Sequence, residues 1–413
     1  MKREGLALTA GSNRSAEARR EWRRSGVHAL LAFLILVPVT LPVAGLRDLV
    51  QAHFEVSDTA TSLFMVVNMV SAFLFAPVAG ALVDRWGGRR ICIVVALVVD
   101  GLAFLLLARE RTSFANFLAL RAVEGMAHIA ALSILMAVAA DHLSELRRGR
   151  GMGLVAAALT FGVAVGAPLG AVLGRDDPWR PLQAASWIAL GTALLAALTV
   201  QEAPTRRKRS TWAELVQAIS KSRAMVVPLL YAFVDRFTVG FFTTTFPLYM
   251  RNEVGVDRTR IGLLLALFLV PFSLLSYPSG RLSTRVSPAR MVAVGSLVYG
   301  VLVASLGAWS ADGLVLLMPL LGIFAAVMYV PSLLLLIEVG SANARATCMA
   351  AFHAAGSLGF VLGPIVGGLI VDASSDRSAG YAAAFVVAGA SQVLCVLVTL
   401  PALRRLGRSI ARR

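Results

Sequence analysis

Cysteine, charge and enzyme motifs are all scarce in this sequence of 413 residues. The three cysteines, Cys92, Cys348 and Cys395, lie in or beside apolar runs, and their spacing matches neither a disulfide framework nor a metal site. HEXXH, GXSXG and P-loop patterns do not occur. These absences argue against hydrolytic, redox and metal chemistry, so we expect no cofactor and no metal, and a polytopic membrane enzyme is only the remote alternative.

Charged residues make up only 15% of the chain, whereas 58% of residues are hydrophobic and the mean hydropathy is +0.76. Such a composition excludes a soluble domain with a polar surface. A helix needs roughly 20 apolar residues to cross the hydrocarbon core of a bilayer, and the runs do not alternate as barrel strands would. We therefore predict an all-α polytopic membrane protein with twelve spans, near 27–46, 59–81, 91–108, 115–140, 150–173, 182–201, 224–249, 260–280, 290–309, 314–337, 348–371 and 380–401.

The net charge of +16 has a clear topological pattern. Of the 39 lysines and arginines, 28 lie in the two terminal tails and the even-numbered connections, and only 9 lie in the odd-numbered connections. This distribution follows the positive-inside rule, so it places both termini in the cytoplasm of a multi-pass protein of the cell membrane, of the bacterial inner or plasma membrane type. Because no separate basic domain exists, we expect no nucleic-acid partner.

The spans divide once, at a basic linker over 202–223. We predict a cytoplasmic tail over 1–26, a six-helix bundle over 27–201, a second bundle over 224–402 and a C-terminal tail over 403–413. The two halves share residues at fixed offsets, which indicates duplication of a six-span unit. Gly80, Leu82, Arg85 and Arg90 recur at an offset of 200 as Gly280, Leu282, Arg285 and Arg290.

The connection between spans 2 and 3 reads GALVDRWGGRR, residues 80–90. Its glycines suit close helix approach and a tight turn, and Arg89 with its neighbours anchors the cytoplasmic side. The chain resembles the major facilitator superfamily over essentially its whole length, and this stretch resembles the signature of that family. The signature positions are Gly80, Asp84, Arg85, Gly87 and Arg90.

The resemblance implies two bundles that rock about a central site, with a cytoplasmic latch that closes the inner side. In the latch, Asp141 would pair with Arg85 or Arg90, and Glu338 with Arg285 or Arg290. The alternative is simple topological anchoring by arginine.

Two glycine stripes follow in spans 5 and 11, and both suit close packing between helices. The stripe in span 5 is similar to the glycine-proline signature of antiporter branches of the family, although Ala167 stands where that signature has proline. Export is therefore favoured modestly over uptake. The glycines of the two stripes are Gly162, Gly166, Gly170, Gly359, Gly363 and Gly367.

Ionisable residues inside spans are costly in lipid and mark functional candidates. Arg121, Glu124 and His128 occupy one face of span 4, where RAVEG resembles a signature associated with proton coupling. Asp235 and Arg236 lie near the middle of span 7. The resemblance places spans 4 and 7 at the central cavity.

Three interpretations of these groups stay open: a static set of ion pairs, a proton carrier at Asp235 or Glu124, or arginines that bind an anionic or zwitterionic substrate. Asp100, in the middle of the peripheral span 3, is expected to have only a local paired role. Together the observations favour a monomeric, proton-coupled transporter that exports a small organic or amphiphilic compound by antiport. Proton-linked uptake of a metabolite is the alternative.

Overall fold

The computed structural model describes residues 2–86, 88–109, 113–143, 145–202, 223–283, 285–339 and 345–411. Within these ranges, the side chains of 2–18, 76–86, 140, 145–150, 152–153, 156, 223, 337–338, 345–351, 353 and 407–411 lie outside the description. The predicted linker at 202–223 therefore falls almost entirely outside the described residues. Gly87 also lies outside the described residues, as do the side chains of Asp84, Arg85 and Glu338. For Gly80 only the helical backbone is described.

Long helices make up nearly all of the described chain. In the first half they are α1 (Lys2–Thr40), α2 (Asp58–Trp86), α3 (Arg89–Leu107), α4 (Phe114–Asp141), α5 (Glu145–Leu173) and α6 (Arg180–Thr199). In the second half they are α7 (Val226–Thr243), α8 (Arg258–Leu282), α9 (Pro288–Ala304), α10 (Leu314–Val339), α11 (Arg345–Asp372) and α12 (Arg377–Ala411). A short helix, Thr245–Asn252, continues the direction of α7, and short helical turns at Val43–Gly45, Arg47–Gln51 and Ala52–Phe54 connect α1 to α2.

Ten of the described helices are long and apolar enough to cross a membrane. Two more apolar segments, Ala157–Leu173 in α5 and Pro288–Ala304, are shorter and coincide with predicted spans 5 and 9. The all-helical membrane architecture is thus confirmed. The twelve-span count and the cytoplasmic position of the termini stay predictions, and the predicted tail over 1–26 continues without a break into α1.

The two halves pair their helices in the same way. In the first half α1 packs on α5, α2 on α4 and α3 on α6; in the second half α7 packs on α11, α8 on α10 and α9 on α12. Contacts between the halves run mainly along α5 with α8 and α2 with α11. Helices α2 and α11 therefore each contact both halves, since α2 also packs on α4 and α11 also packs on α7.

The glycine stripes pack helices within each half. In α5, a Cβ added at Gly166 would overlap the carbonyl oxygen of Val37 in α1, and in α11 one added at Gly363 would overlap that of Phe237 in α7. Gly162, Gly170, Gly359 and Gly367 meet the same two neighbouring segments. The stripes thus allow the backbones of α1 and α5, and of α7 and α11, to approach closely.

Candidate functional site

Buried charge in the first half centres on the face of α4 that packs against α2 and α3. The guanidinium of Arg121 donates from Nη1 to Glu124 Oε2 at 2.7 Å, and both side chains are fully buried. Arg121 Nε also donates to the carbonyl oxygen of Phe64 at 3.2 Å, and its Cζ lies 4.4 Å from the centre of the Phe64 ring. The arginine is therefore held from two helices at once.

A second donor from α2 reaches the same carboxylate. Asn68 Nδ2 lies 2.5 Å from Glu124 Oε2, so Asn68 and Arg121 share one oxygen. The other oxygen, Oε1, is buried and has no hydrogen-bond partner among the described residues. Glu124 thus keeps one buried oxygen at which a proton can bind without displacing a donor.

Asp100 of α3 completes the cluster; the sequence predicted a local paired role for it, but not its place beside Glu124. His128 Nδ1 lies 3.9 Å from Asp100 Oδ2, and one ligand atom each from Asp100, Glu124 and His128 lie within 4.8 Å of one another. Asp100 Oδ1 and His128 Nδ1 are buried without a hydrogen-bond partner in the described part of the chain. We call Asp100, Arg121, Glu124 and His128 the α4 cluster.

The α4 cluster is enclosed by helices of the first half, and all four of its side chains are buried. Arg121 and Glu124 are 0% exposed, and their contacts are with α2 and α4. The cluster contains two carboxylates and one guanidinium, so with both carboxylates ionised and the histidine neutral it carries one excess negative charge. A small cation such as a proton would balance that charge, whereas a bulky substrate has no access to it in this conformation.

Asp235 and Arg236 on α7 point to different neighbours, as adjacent positions on a helix must. Asp235 is buried and lies near enough to Tyr299 of α9 to interact electrostatically. Arg236 is half-buried, and its Cζ lies 4.8 Å from the centre of the Tyr329 ring in α10. Within the described residues neither side chain makes an ion pair shorter than 4 Å, although the charges of the two residues interact with each other.

At the inner ends of α3 and α4, the described part of the gating motif differs from the predicted pairing. Asp141 Oδ2 lies 2.6 Å from Arg89 Nη1, while the guanidinium of Arg90 donates to the carbonyl oxygen of Ala197. Arg285 and Arg290 are exposed and make no ion pair with a described residue. Among the described side chains the partner of Asp141 is therefore Arg89 and not Arg90, while the predicted pairing with Arg85 lies outside the described residues.

Glu202, which sequence reasoning did not single out, caps the first turn of α3. Its carboxylate oxygens accept the backbone N–H groups of Arg89 and Arg90 at 3.1 Å each. An acid at a helix N-terminus is stabilising. Gly88, which directly precedes Arg89, has a φ of 62°, a left-handed conformation that favours glycine at the predicted tight turn.

On the face where α1 ends, which we call the outer face after the predicted topology, charged residues join the halves. Asp48 accepts Arg258 Nε at 2.8 Å and lies 3.5 Å from Arg251 Nε. Asn252 donates to Gln51 at 2.9 Å. Burial opposes the charge of Asp48, but the hydrogen bonds from Arg258 and Arg47 outweigh it and hold the pKa of Asp48 below its usual value.

A second part of this outer network surrounds the start of α2. The Asp372 carboxylate, at the end of α11, accepts the backbone N–H groups of Asp58 at 3.1 Å and Thr59 at 2.9 Å. Asp58 itself is 1% exposed, accepts the Tyr381 hydroxyl at 2.6 Å and pairs with Arg377. The outer network therefore closes the two halves on each other around the N-terminus of α2.

These outer residues were also missed by sequence reasoning. The residues that pair across the outer face are about two to three hundred positions apart in the sequence, mainly in the stretches RDLVQ, RNEVGVDR and DASSDR. The one available indication was that these short connections, all on the predicted outer face, carry both signs of charge.

Comparison with known sequences gives consistent relatives. A family model described as the Major Facilitator Superfamily matches residues 29–234 and 228–409. The chain is 23% identical to multidrug resistance protein 1 of Bacillus subtilis (strain 168) over 242 residues, which cover 57% of this chain and 59% of that protein. It is 26% identical to the class C tetracycline resistance protein of Escherichia coli over 394 residues, which cover 90% of this chain and 96% of that protein.

A solved structure has the same fold. A bacterial homologue of the human lysosomal transporter Spinster, in an inward-facing and unoccupied conformation, superimposes with a TM-score of 0.78 at 14% identity, over 95% of this chain and 98% of that one. The matched family model covers nearly the whole sequence. The ten long apolar helices of the chain agree with a location in the membrane. The chain is thus a multi-pass protein of the cell membrane and a member of the Major Facilitator Superfamily of transporters.

Proposed function

We propose that this transporter exports a small organic or amphiphilic compound in exchange for protons, by rocking of the bundles 27–201 and 224–402. The observation that carries the proposal is the α4 cluster, which contains two buried carboxylates and one guanidinium. Relatives named for multidrug and tetracycline resistance support the direction of export.

The α4 cluster supports proton coupling through its charge balance. Loss of the Glu124 charge by protonation weakens its ion pair with Arg121, which is still held by the Phe64 carbonyl oxygen and ring. Asp100 and His128 offer a second position for the same proton, because their unpaired atoms lie in the same buried group. A proton can therefore enter or leave with a rearrangement of α4 against α2 and α3.

Helix α2 supplies a route from the proton to the opening of the halves. Phe64 and Asn68 contact the α4 cluster, and Asp58 at the start of the same helix belongs to the outer network. Ten residues of helix separate Asp58 from Asn68, which is about 15 Å along the axis. A shift of α2 on protonation of Glu124 would thus act on the contacts with Asp372, Arg377 and Tyr381.

Asp235 is the second candidate carrier. It is a buried carboxyl without an ion pair in the described part of the second half. Arg236, with its guanidinium stacked on Tyr329, is the described cation best placed to meet an anionic or aromatic group of a substrate. Substitutions at Glu124 and Asp235 therefore separate the two assignments.

The test uses inside-out vesicles acidified by respiration, a lumenal pH dye and a panel of cationic, neutral and anionic compounds. We compare the native protein with Glu124→Gln, Asp100→Asn and Asp235→Asn. The control is Asp176→Asn, which makes the same chemical change at a carboxylate that is 76% exposed. Compound-driven proton loss should occur in the native protein and in Asp176→Asn, and should be abolished in Glu124→Gln.

Each other outcome revises the proposal. Proton loss that persists in Glu124→Gln but disappears in Asp235→Asn would move the coupling site to the second half. No response of the native protein to any compound would reject export by antiport, and uptake of metabolites in right-side-out vesicles would then be measured.

A further inference from the structure

A basic pocket lies on the inner face of the first half, away from the α4 cluster and the outer network. It has a volume of about 450 Å³ and opens where α1 begins its apolar stretch and where α4 and α6 end. Arg20, Arg23 and Arg24 of α1 line one side, and His28 and His142 line another. Three helices of one bundle therefore meet at a single cationic concavity.

The pocket has no acidic residue of its own among the described residues that line it. Arg24 Nη2 donates to Gln201 Oε1 at 2.7 Å, which fixes one guanidinium at the wall. Two acids beside the lining residues are engaged elsewhere: Glu202 accepts backbone N–H groups of α3, and Asp141 pairs with Arg89. Glu21, next to Arg20 on α1, does not line the pocket. The charge of the pocket is thus left for an anion from outside the chain.

Two stacked histidines form the floor. The rings of His28 and His142 lie 5.3 Å apart at an angle of 12°, and His28 is 3% exposed. His142 Nδ1 is buried and has no hydrogen-bond partner in the described part of the chain. The pKa of His142 is lowered, mainly by burial and by the charge of Arg24, with a smaller contribution from Arg89. A hydrogen bond to the Glu202 backbone and the charge of Asp141 only partly oppose this shift.

An apolar stripe on α6 leads from the bilayer to the pocket. Trp187, Leu194 and Leu198 are 70%, 63% and 74% exposed, and their spacing places them on one face of the helix. Leu198 also lines the pocket. A ligand in the pocket therefore has guanidinium groups at one end and a membrane-facing apolar surface at the other.

We propose that this pocket binds the phosphodiester headgroup of an anionic phospholipid from the cytoplasmic leaflet, with an acyl chain along the α6 stripe. Guanidinium groups bind phosphate oxygens in pairs, and basic pockets between spans at the cytoplasmic side suit anionic headgroups. A free phosphate offers the same oxygens without an acyl chain. The lipid would bridge α1, α4 and α6 beside the Arg89–Asp141 pair.

The test measures lipid binding to the full-length protein in detergent by native mass spectrometry. Phosphatidylglycerol is titrated against phosphatidylcholine of the same acyl composition, and inorganic phosphate is added as a competitor. Arg20→Gln/Arg23→Gln removes two exposed pocket charges, and Arg24→Gln removes the one fixed by Gln201. The matched control is Arg404→Gln/Arg405→Gln, which removes two exposed arginines near the end of α12.

We expect one tight phosphatidylglycerol site, with preference over phosphatidylcholine. At about 1 kcal/mol per arginine near an anionic headgroup, the Arg20→Gln/Arg23→Gln variant should lose roughly 30-fold in affinity. Arg24→Gln should also bind more weakly, whereas the control should match the native protein. Equal binding of the two lipids, equal loss in the control, or displacement of the lipid by millimolar phosphate would each overturn the assignment, the last in favour of a soluble anion.

Discussion

Asp58→Ala is expected to open the outer face of the transporter. In the structure, the Asp58 carboxylate is buried between the Tyr381 hydroxyl, at 2.6 Å, and the guanidinium of Arg377. Both partners belong to the second half, whereas Asp58 begins α2 of the first half. These contacts exist only while the halves meet at the outer face, so removing them shifts the equilibrium between closed and open conformations.

The size of the shift follows from the burial of the groups. A hydrogen bond to a buried charged group contributes about 1.5–3 kcal/mol. The Arg377 side chain is 50% exposed, so solvent screening limits its ion pair to about 1 kcal/mol or less. Burial of the carboxylate and the nearby Asp372 carboxylate oppose these contacts, so together they stabilise the closed outer face by about 2 kcal/mol, and their loss should raise the open-to-closed ratio on the order of 30-fold.

Double electron–electron resonance measures the distance distribution between spin labels on the two halves, and the populations of short and long distances give this ratio. Asp176 and Asp312 lie in outer connections of different halves and are 76% and 91% exposed, so cysteine at each position accepts a label without disturbing the core. The native cysteines are replaced by serine. The control is Asp376→Ala, because that carboxylate accepts the backbone N–H of Ser378 within its own half.

We expect a longer-distance population to grow strongly in Asp58→Ala and to stay at the native level in Asp376→Ala. If the distance distribution of Asp58→Ala equals that of the native protein, the outer network does not hold the halves together. The proposed route along α2 would then lose its endpoint.

Two further predictions test other parts of the fold. The pKa of Asp48 is lowered in the folded protein, so its pairing with Arg258 stabilises the fold at pH values above the ordinary aspartate pKa of about 3.9. This stabilisation is lost only as the pH falls through the lower pKa of the folded state. The difference in Tm between native protein and Asp48→Asn should therefore stay constant from pH 8 to pH 5, and a difference that already closes near pH 5 would refute this. Gly363→Ala should destabilise the protein by about 1–3 kcal/mol, because the new methyl group overlaps the Phe237 carbonyl. In thermal unfolding, Gly191→Ala serves as its control, since a Cβ added there meets no atom of another helix or side chain within 4 Å. Equal Tm values for the two variants would contradict the packing argument.

The helices were largely predictable because hydropathy reports directly on lipid exposure. The run over 314–337 became Leu314–Val339, and that over 182–201 became Arg180–Thr199. The run over 290–309 was too long, since α9 ends at Ala304 and a short turn, Leu306–Ala308, follows. Hydropathy carries no information on where backbone hydrogen bonding stops, so it does not predict the ends of helices accurately.

The candidate site was predictable only along a single helix. The spacing of Arg121, Glu124 and His128 placed them on one face, and the structure has that face buried. Which helices this face meets, namely α2 and α3, depends on packing between segments distant in sequence. Asp100 was therefore discounted, although it lies within 4.8 Å of the other two ligand groups.

The cross-half contacts were the least accessible part of the structure. Asp58 and Arg377, or Asp48 and Arg258, are ordinary loop-end charges in the sequence, and nothing local tells which cation meets which acid. The capping role of Glu202 was hidden for the same reason, because it acts on α3, more than a hundred positions away. Such pairs need the tertiary fold before they can be recognised.

Proton release on compound binding is the most direct test of the central claim that the α4 cluster carries the coupled proton. Purified protein in a weakly buffered solution with a pH indicator is mixed with a compound that drives proton loss in vesicles. The account predicts proton release from the native protein and from Asp176→Asn, and none from Glu124→Gln with compound affinity retained. Release from Glu124→Gln equal to that of the native protein would contradict it.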